Sequence, residues 1–346
     1  MDGWTPADWA LLSQLAFSWI AALLNAIETR GKWPAATRHA KAVFLEKDPE
    51  AVQTPLSVRI LLMLAYLYRV WASITLARLN GWIKLWATPE IFAGVPGLGA
   101  SDAWYCTSIE IEYQRCCGRH LTGGAADILK CFDQIVPSLA LALLRKAGMP
   151  ALVLRTYAEF LTNLVIYNAL VGGLGKPRTL HCGIPQGCPL SMMIIAIMML
   201  AWVNLMRAKG LHPRVLADDI MLLAFGEDHL RRFQSGFNAT LGYIADMGGK
   251  VAASKSYVFS THTTARAFLK QHNWPIINAA VKVVSHIRDL GAHLNLSAKA
   301  QGPTQTKRVV QGGHHLRQGY RWITHVPRQE SHSSSYQSLR HGPVSH

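Results

Sequence analysis

The chain has 346 residues, half of them hydrophobic, which is enough to fill one large or two modest cores and excludes a wholly disordered body. A formal net charge of +15 gives an attraction for polyanions that is mostly independent of sequence. Much of it lies at the end, where Lys299, Lys307, Arg308, Arg317, Arg321, Arg328 and Arg340 face only Glu330.

Residues 1–40 read as a helical extension. Trp9, Leu12, Phe17, Trp19, Leu23, Leu24 and Ile27 recur at helical spacing over 9–27, with a mixed face. Asp2 and Asp8, with no basic start, argue against a secretory signal. The stretch 59–86, rich in Leu, Trp and Arg, reads as helix. Small and apolar residues from Gly123 to Ala126 then lead into Asp127, as in a central strand that delivers a carboxylate at its C-terminal end. A helix over 138–148 follows, stopped by Gly148 and Pro150. Gly172-Gly173-Leu174-Gly175, between Val165-Ile166-Tyr167 and Arg178-Thr179-Leu180, reads as a hairpin turn. It is no phosphate loop, because Lys176 precedes Pro177 where such a loop has Ser or Thr before a helix.

Gly183-Ile184-Pro185-Gln186-Gly187-Cys188-Pro189-Leu190-Ser191 combines two glycines that permit close backbone approach to a ligand with prolines that stiffen the turn. Gln186 offers both a donor and acceptors there. Met192 to Met206 is apolar for nearly the ~18–20 residues that a membrane span needs. A helix buried beneath a sheet is equally apolar. Asn204 and Arg207 at its end and the Pro-Gln-Gly loop before it favour the buried helix, so no membrane contact is expected.

Leu216-Ala217-Asp218-Asp219 sets two adjacent carboxylates between apolar runs, a pattern that fits a β-hairpin tip. Adjacent like charges raise the pKa of at least one acid or call for a cation. An exposed acidic turn would look the same in isolation; Asp127, far upstream, is the matching partner. A strand-end Asp and a hairpin Asp-Asp on neighbouring elements can hold two Mg²⁺ about 3.5–4 Å apart. Hard oxygen ligands fit Mg²⁺ better than zinc. A helix is expected over 227–247, with Arg231 and Arg232 facing solvent. From residue 299 to 346 Gly, Gln, Ser and His dominate, as in a basic, disordered tail. Six cysteines show no paired metal spacing, and Cys116-Cys117 with His120 lacks a second ligand pair. Reduced thiols in an intracellular compartment, nuclear or cytoplasmic, are the simpler reading.

Three motifs in order, Asp127-Ile128-Leu129-Lys130-Cys131-Phe132-Asp133, then Pro185 to Ser191, then Ala217-Asp218-Asp219, resemble the palm of reverse transcriptases. The resemblance is nearest to the non-LTR retrotransposon and group II intron branch and covers roughly residues 40–295. It implies an α+β right-hand polymerase fold, with fingers and palm over 41–298, a ferredoxin-like palm sheet backed by helices, and a thumb truncated or absent. Asp127 and Asp218 match the metal-binding aspartates and Asp219 the second acid of the hairpin. Phe132 matches the steric gate that favours dNTP over rNTP; a plain core ring is its other reading. Gln186 and Gly187 match the loop that touches incoming nucleotide and template. Lys255, in Ala253-Ser254-Lys255-Ser256, matches a lysine near the departing pyrophosphate, and a solvated lysine is the alternative.

Val43 to Asp48 looks like the fingers strand whose lysine, here Lys47, contacts the triphosphate. The family's Arg-Pro is replaced by Thr54-Pro55, and Arg59 stands later as the phosphate-binding arginine. Phe92 to Gly99 with Ser101-Asp102-Ala103 looks like the loop into the helix ahead of the palm. Leu290-Gly291-Ala292-His293-Leu294 resembles the primer-grip hairpin. The implied activity is RNA-directed DNA synthesis from dNTPs on an RNA template with a DNA or RNA primer. Two Mg²⁺ ions, with Mn²⁺ as a substitute, would serve it. A domesticated fragment that binds nucleic acid without polymerising, and an RNA-dependent RNA polymerase, remain alternatives; Phe132 argues against the second. Protein partners are not readable.

Overall fold

The computed structural model describes residues 3–46, 58–289 and 292–296. Two helices open the chain, α1 (Pro6–Ala10) and α2 (Gln14–Arg30), where the spacing predicts one. The break has a local cause. Ser13 Oγ accepts from the Ala16 N–H and starts a second helix, as Thr5 does for the first. Next come β1 (His39–Glu46), β2 (Val58–Leu64), α3 (Tyr66–Arg78) and α4 (Asn80–Trp86). The helix expected over 59–86 is therefore corrected: its first six residues belong to β2. A short apolar run such as Ile60 to Leu64 has no periodicity that separates strand from helix. The ladder partner decides it, with Leu45 opposite Arg59 and Ala40 opposite Leu64.

The palm elements follow: α5 (Ala100–Cys116), β3 (Leu121–Ala126), α6 (Cys131–Gln134), α7 (Pro137–Lys146) and α8 (Ala151–Thr162). The chain then returns to the fingers through β4 (Val165–Leu170), β5 (Gly173–Leu174) and β6 (Arg178–Thr179). Parallel pairing of β1 with β4, and antiparallel pairing of β4 with β5 and β6, completes the fingers sheet and gives the hairpin expected at Gly172. After it come α9 (Ser191–Ala208), β7 (His212–Leu216), β8 (Asp219–Phe225), α10 (His229–Asp246), β9 (Tyr257–Ser260) and α11 (Thr263–Gln271). Short strands close the described region: β10 (Asn273–Trp274), β11 (Ala279–Ala280), β12 (Lys282–Val283), β13 (His286–Asp289) and β14 (Ala292–Asn295).

The palm sheet has the order β12-β9-β3-β8-β7, with β3 at its centre and antiparallel to both neighbours. Side chains alternate between two covered faces. Met221, Leu223, Phe225, Tyr257 and Phe259 pack with Ile111 of α5 and with Leu294 and Leu296 at the β13–β14 hairpin. Ile220, Leu222, Ala224 and Val258 pack on the other face with Phe233 and Phe237 of α10. Burial on both faces makes β8 a continuous apolar run instead of an alternating one. The glycine pair in β3 follows from the same crowding. A Cβ at Gly123 would lie 2.6 Å from Phe259 Cζ, and one at Gly124 would lie 2.7 Å from the Tyr257 carbonyl oxygen.

Helix α9 is, among the described residues, the one helix long and apolar enough to cross a membrane. Its hydropathy has a packing explanation: Met193 to Met199, Trp202, Val203 and Met206 are buried in the main core. Trp202 Nε1 donates to Thr240 Oγ1 of α10 at 3.0 Å, which ties the two helices behind the sheet. The same core reaches the start of the chain through Leu24, Ile27 and Trp33. Arg231 is exposed and paired with Asp228, as expected. Arg232, expected beside it in solvent, is half-buried and donates to the carbonyls of Gly210 and Phe225. The tail expected over 299–346 lies outside the described residues, as do Lys47, Leu290 and Gly291.

Candidate active site

The ladder between β3 and β8 ends at Ala126 opposite Ile220, so Asp127 is the first residue past the central strand. Beside it, β7 and β8 close at Leu216 opposite Asp219, leaving Ala217 and Asp218 as a two-residue turn. Ala217 has φ 58, and Asp218 is not among the positive-φ residues, the pattern of a type II′ hairpin with an alanine where glycine is usual. That left-handed alanine costs roughly 1–2 kcal/mol, carried at the tip that bears the acids.

Strand end and hairpin tip meet at one cavity of about 650 Å³, lined by Asp127, Asp218 and Asp219. Phe132, Gln186, Lys255 and Arg59 line the same cavity. Seven of the nine residues singled out in the sequence are thus brought together from five separate segments. Arg59 reaches it from an exposed position on β2. Its ladder neighbour Leu45 and the next residue Glu46 also line the wall, on the strand that leads toward Lys47. Gly187 is not a lining residue. It has φ 125, and a Cβ there would come within 2.5 Å of the Leu62 carbonyl oxygen, so the glycine seats the loop on β2.

The loop that carries Gln186 is fixed at both sides. Gly183 and Ile184 N–H donate to the carbonyls of Ile135 and Phe132 at 2.7 and 2.8 Å, and the Leu62 N–H donates to the Gln186 carbonyl at 2.7 Å. Gln186 Nε2 in turn donates to Asp133 Oδ1 at 3.0 Å, which orients the amide. Phe132 is half-buried, one face against the core and one on the cavity. Cys131, next to it, is held as a neutral thiol. Burial pushes its pKa up to about 12, with the negative charges of Asp218 and Asp133 adding to the effect.

Asp127 is held through its main chain by the segment that bears Lys255. Its N–H donates to Ser256 Oγ at 3.1 Å, and its carbonyl accepts from the Ala252 N–H at 2.9 Å. Leu129 N–H donates to the Lys250 carbonyl at 2.8 Å, so residues 250–256 wrap the strand end. Sequence reasoning missed Ser256 and the role of Asp133. A lone serine beside a lysine carries no spacing signal, and Asp133 stood inside a motif without an assigned partner.

Among the described residues no group of three or more His, Cys, Asp or Glu side chains is arranged to hold a metal ion by itself. Mg²⁺ rarely uses an all-protein cage; it keeps waters and takes one or two carboxylates together with substrate phosphates. A cavity with hard carboxylate oxygens and a protonated thiol suits that mode and disfavours a sulfur-ligated metal. A hairpin is present where one was expected, as β13 paired antiparallel with β14, with Leu294 packed against the sheet.

The model of the family described as reverse transcriptase (RNA-dependent DNA polymerase) matches residues 46–311. No curated protein matches. Among solved structures, apo telomerase from Candida tropicalis truncated from its C-terminal domain superposes with a TM-score of 0.50 at 9% identity, over 70% of this chain and 55% of that one. Telomerase from the same organism, in complex with a TWJ fragment of telomeric RNA, gives a TM-score of 0.49 at 9% identity, over 77% and 48%. The chain spans about half the length of these structures. The first likeness is one of fold, and it agrees with the right-hand α+β architecture of fingers and palm. On a family match that spans most of its length, the chain belongs to the reverse transcriptases.

Proposed function

We propose that this chain is an RNA-directed DNA polymerase of the non-LTR retrotransposon and group II intron-like type, acting on an RNA template with a DNA or RNA primer and dNTPs. The observation that carries the reading is the meeting of Asp127 with the Asp218-Asp219 turn at a cavity also walled by Phe132, Gln186 and Lys255. The family match supports the same chemistry. A retrotransposon source rests on the motif pattern, and an intracellular site suits six unpaired cysteines.

In this reading Asp127 and Asp218, assisted by Asp219, hold two Mg²⁺ ions, with Mn²⁺ as substitute. When bound, such ions lower the pKa of a primer 3′-hydroxyl and neutralise charge on the leaving phosphates. The chain's own residues supply position and shape. The Phe132 ring occupies the wall where a ribose 2′-hydroxyl would project. Asp133 fixes the Gln186 amide at the cavity through its Nε2. Lys255 and Arg59, which line the cavity, would pair with a triphosphate, and Lys47 is assigned the same role on the motif pattern alone. Positioning and charge neutralisation provide most of the acceleration in phosphoryl transfer of this kind.

The test is extension of a primed RNA template with dNTPs and Mg²⁺ by the full chain. Extension that Asp218→Asn abolishes is expected. Salt-sensitive duplex binding with no incorporation in Mg²⁺ or Mn²⁺ would replace the polymerase with a binding protein.

A further inference from the structure

Asp127 stands at an awkward place for a residue that must hold its carboxylate still. Pairing of β3 with β9 stops at Ala125 opposite Tyr257, and pairing with β8 stops one residue later, so neither ladder reaches the Asp127 N–H, while its carbonyl takes part in the antiparallel bridge of Ile128 with Val251. Had β9 run on backwards from Tyr257, its main chain would have continued alongside β3. The chain turns instead over residues 252–255, a turn closed by the Lys255 and Ser256 N–H groups, each 3.0 Å from the Ala252 carbonyl oxygen. The turn frees Lys255 to line the cavity and takes the strand's own acceptor away from Asp127.

Ser256 Oγ fills that place. It accepts the Asp127 N–H at 3.1 Å and donates its single proton to the Ala252 carbonyl at 3.0 Å. A hydroxyl has one proton and two lone pairs, so this pattern fixes the oxygen as acceptor toward Asp127. The serine is buried, at 1% exposure, so water does not compete for either bond. With the Ala252 N–H on the Asp127 carbonyl, both main-chain groups of the aspartate are held by one turn.

We propose that Ser256 is a positioning residue for Asp127: its hydroxyl replaces the lost ladder partner and sets where the carboxylate presents its oxygens to a divalent cation. This inference rests on the reading of Asp127 as a cation ligand, and it adds a coupling. The turn that places Lys255 on the cavity is the turn that fixes Asp127, so two groups of the cavity wall are set by one structural unit.

The experiment titrates the full chain with Mn²⁺, followed by electron paramagnetic resonance, and measures primer extension in parallel. It compares the wild type with Ser256→Ala, Ser256→Thr, Ser256→Cys and Asp127→Asn. Ser256→Ala is expected to weaken Asp127-dependent Mn²⁺ binding about tenfold and to lower kcat about 10–100-fold, the scale of a small misplacement. KM for dNTP should stay within about twofold, because Ser256 is not among the residues that line the nucleotide cavity. Ser256→Thr, which keeps the hydroxyl, should restore both. Ser256→Cys keeps the shape with a weak acceptor, and should lose Mn²⁺ affinity while melting like the wild type.

Wild-type Mn²⁺ affinity in a folded Ala or Cys variant would overturn the proposal, as would a Thr variant no better than Ala. So would a wild type with no Asp127-dependent Mn²⁺ binding. The polymerase reading fails separately: a chain that binds Mn²⁺ through Asp127 without extending a primer refutes the polymerase, and the variant series then decides Ser256 on cation binding alone.

Discussion

Strand β3 carries polar groups at both ends, and the two ends treat them in opposite ways. At the Leu121 end, His229 Nδ1 lies 2.6 Å from Thr122 Oγ1, Thr122 donates to Ser260 Oγ at 2.9 Å, and Ser260 donates to the Leu121 carbonyl at 2.8 Å. Because the Thr122 proton goes to Ser260, its oxygen accepts from His229, and the ring carries its proton on Nδ1. All three side chains are buried and the relay closes on the protein's own backbone. At the Asp127 end, acceptors gather around a cavity of about 650 Å³ that opens to solvent. Buried polar groups matched within the protein hold a fold together; acidic groups gathered on an open cavity stand where a ligand can reach them. One strand therefore divides its labour by end, and the two ends should respond differently to substitution.

The largest expected effect is on activity alone. Asp127→Asn should lower primer extension by about 100-fold or more, the scale of removing one electrostatic partner of a phosphoryl transfer. Its melting temperature should stay within a few degrees of the wild type. A large loss of stability would mean that the acid end is structural after all. Next in size, Thr122→Val should cost about 1–3 kcal/mol, because it strands the buried His229 and Ser260 groups. Denaturant unfolding measures the loss, and kcat per folded molecule should not change. A stable variant with damaged catalysis would erase the division between the ends.

A third effect is a pH dependence. Burial holds the His229 pKa down at about 4, with the neighbouring His120, His262 and Arg232 adding in the same direction. In the unfolded chain the ring titrates near its ordinary value of ~6.5. Between those values the unfolded state binds a proton that the folded state refuses. The stabilisation is therefore complete above about pH 6.5 and is lost as pH falls toward 4. Melting curves across that window should slope downward in the wild type and flatten in His229→Gln. A slope that the substitution leaves intact would assign the effect to other groups.

The acid end was legible in the sequence because chemistry restricts it. Few residue patterns put Asp127, a Pro-Gln-Gly loop and Asp218-Asp219 in that order, and the structure gathers them at one cavity. The histidine relay was not legible. His120, His229 and His262 are scattered along the chain, and only the sheet brings their rings within 4.5–5.9 Å of one another. Strand β2 was misread because Ile60 to Leu64 is apolar on every residue, and its identity depends on pairing with β1, which local periodicity does not encode. Arg232 was misplaced for a similar reason. Its neighbour Arg231 does face water, but one step around α10 the guanidinium meets the carbonyls of Gly210 and Phe225. Gly187, expected to let a ligand approach the backbone, instead lets the backbone of β2 approach, a tertiary pairing that the loop's own residues do not encode.

Fe²⁺, which takes the place of Mg²⁺ at carboxylate sites, cuts a polypeptide near its binding position when peroxide and ascorbate are added, and so reads the location of the ion directly. The cuts should map to two stretches, one around residue 127 and one around 218, should fade as Mg²⁺ is added, and should vanish together in Asp127→Asn. Cuts at only one of the two, or a pattern indifferent to Mg²⁺, would contradict a shared cation site between the strand end and the hairpin.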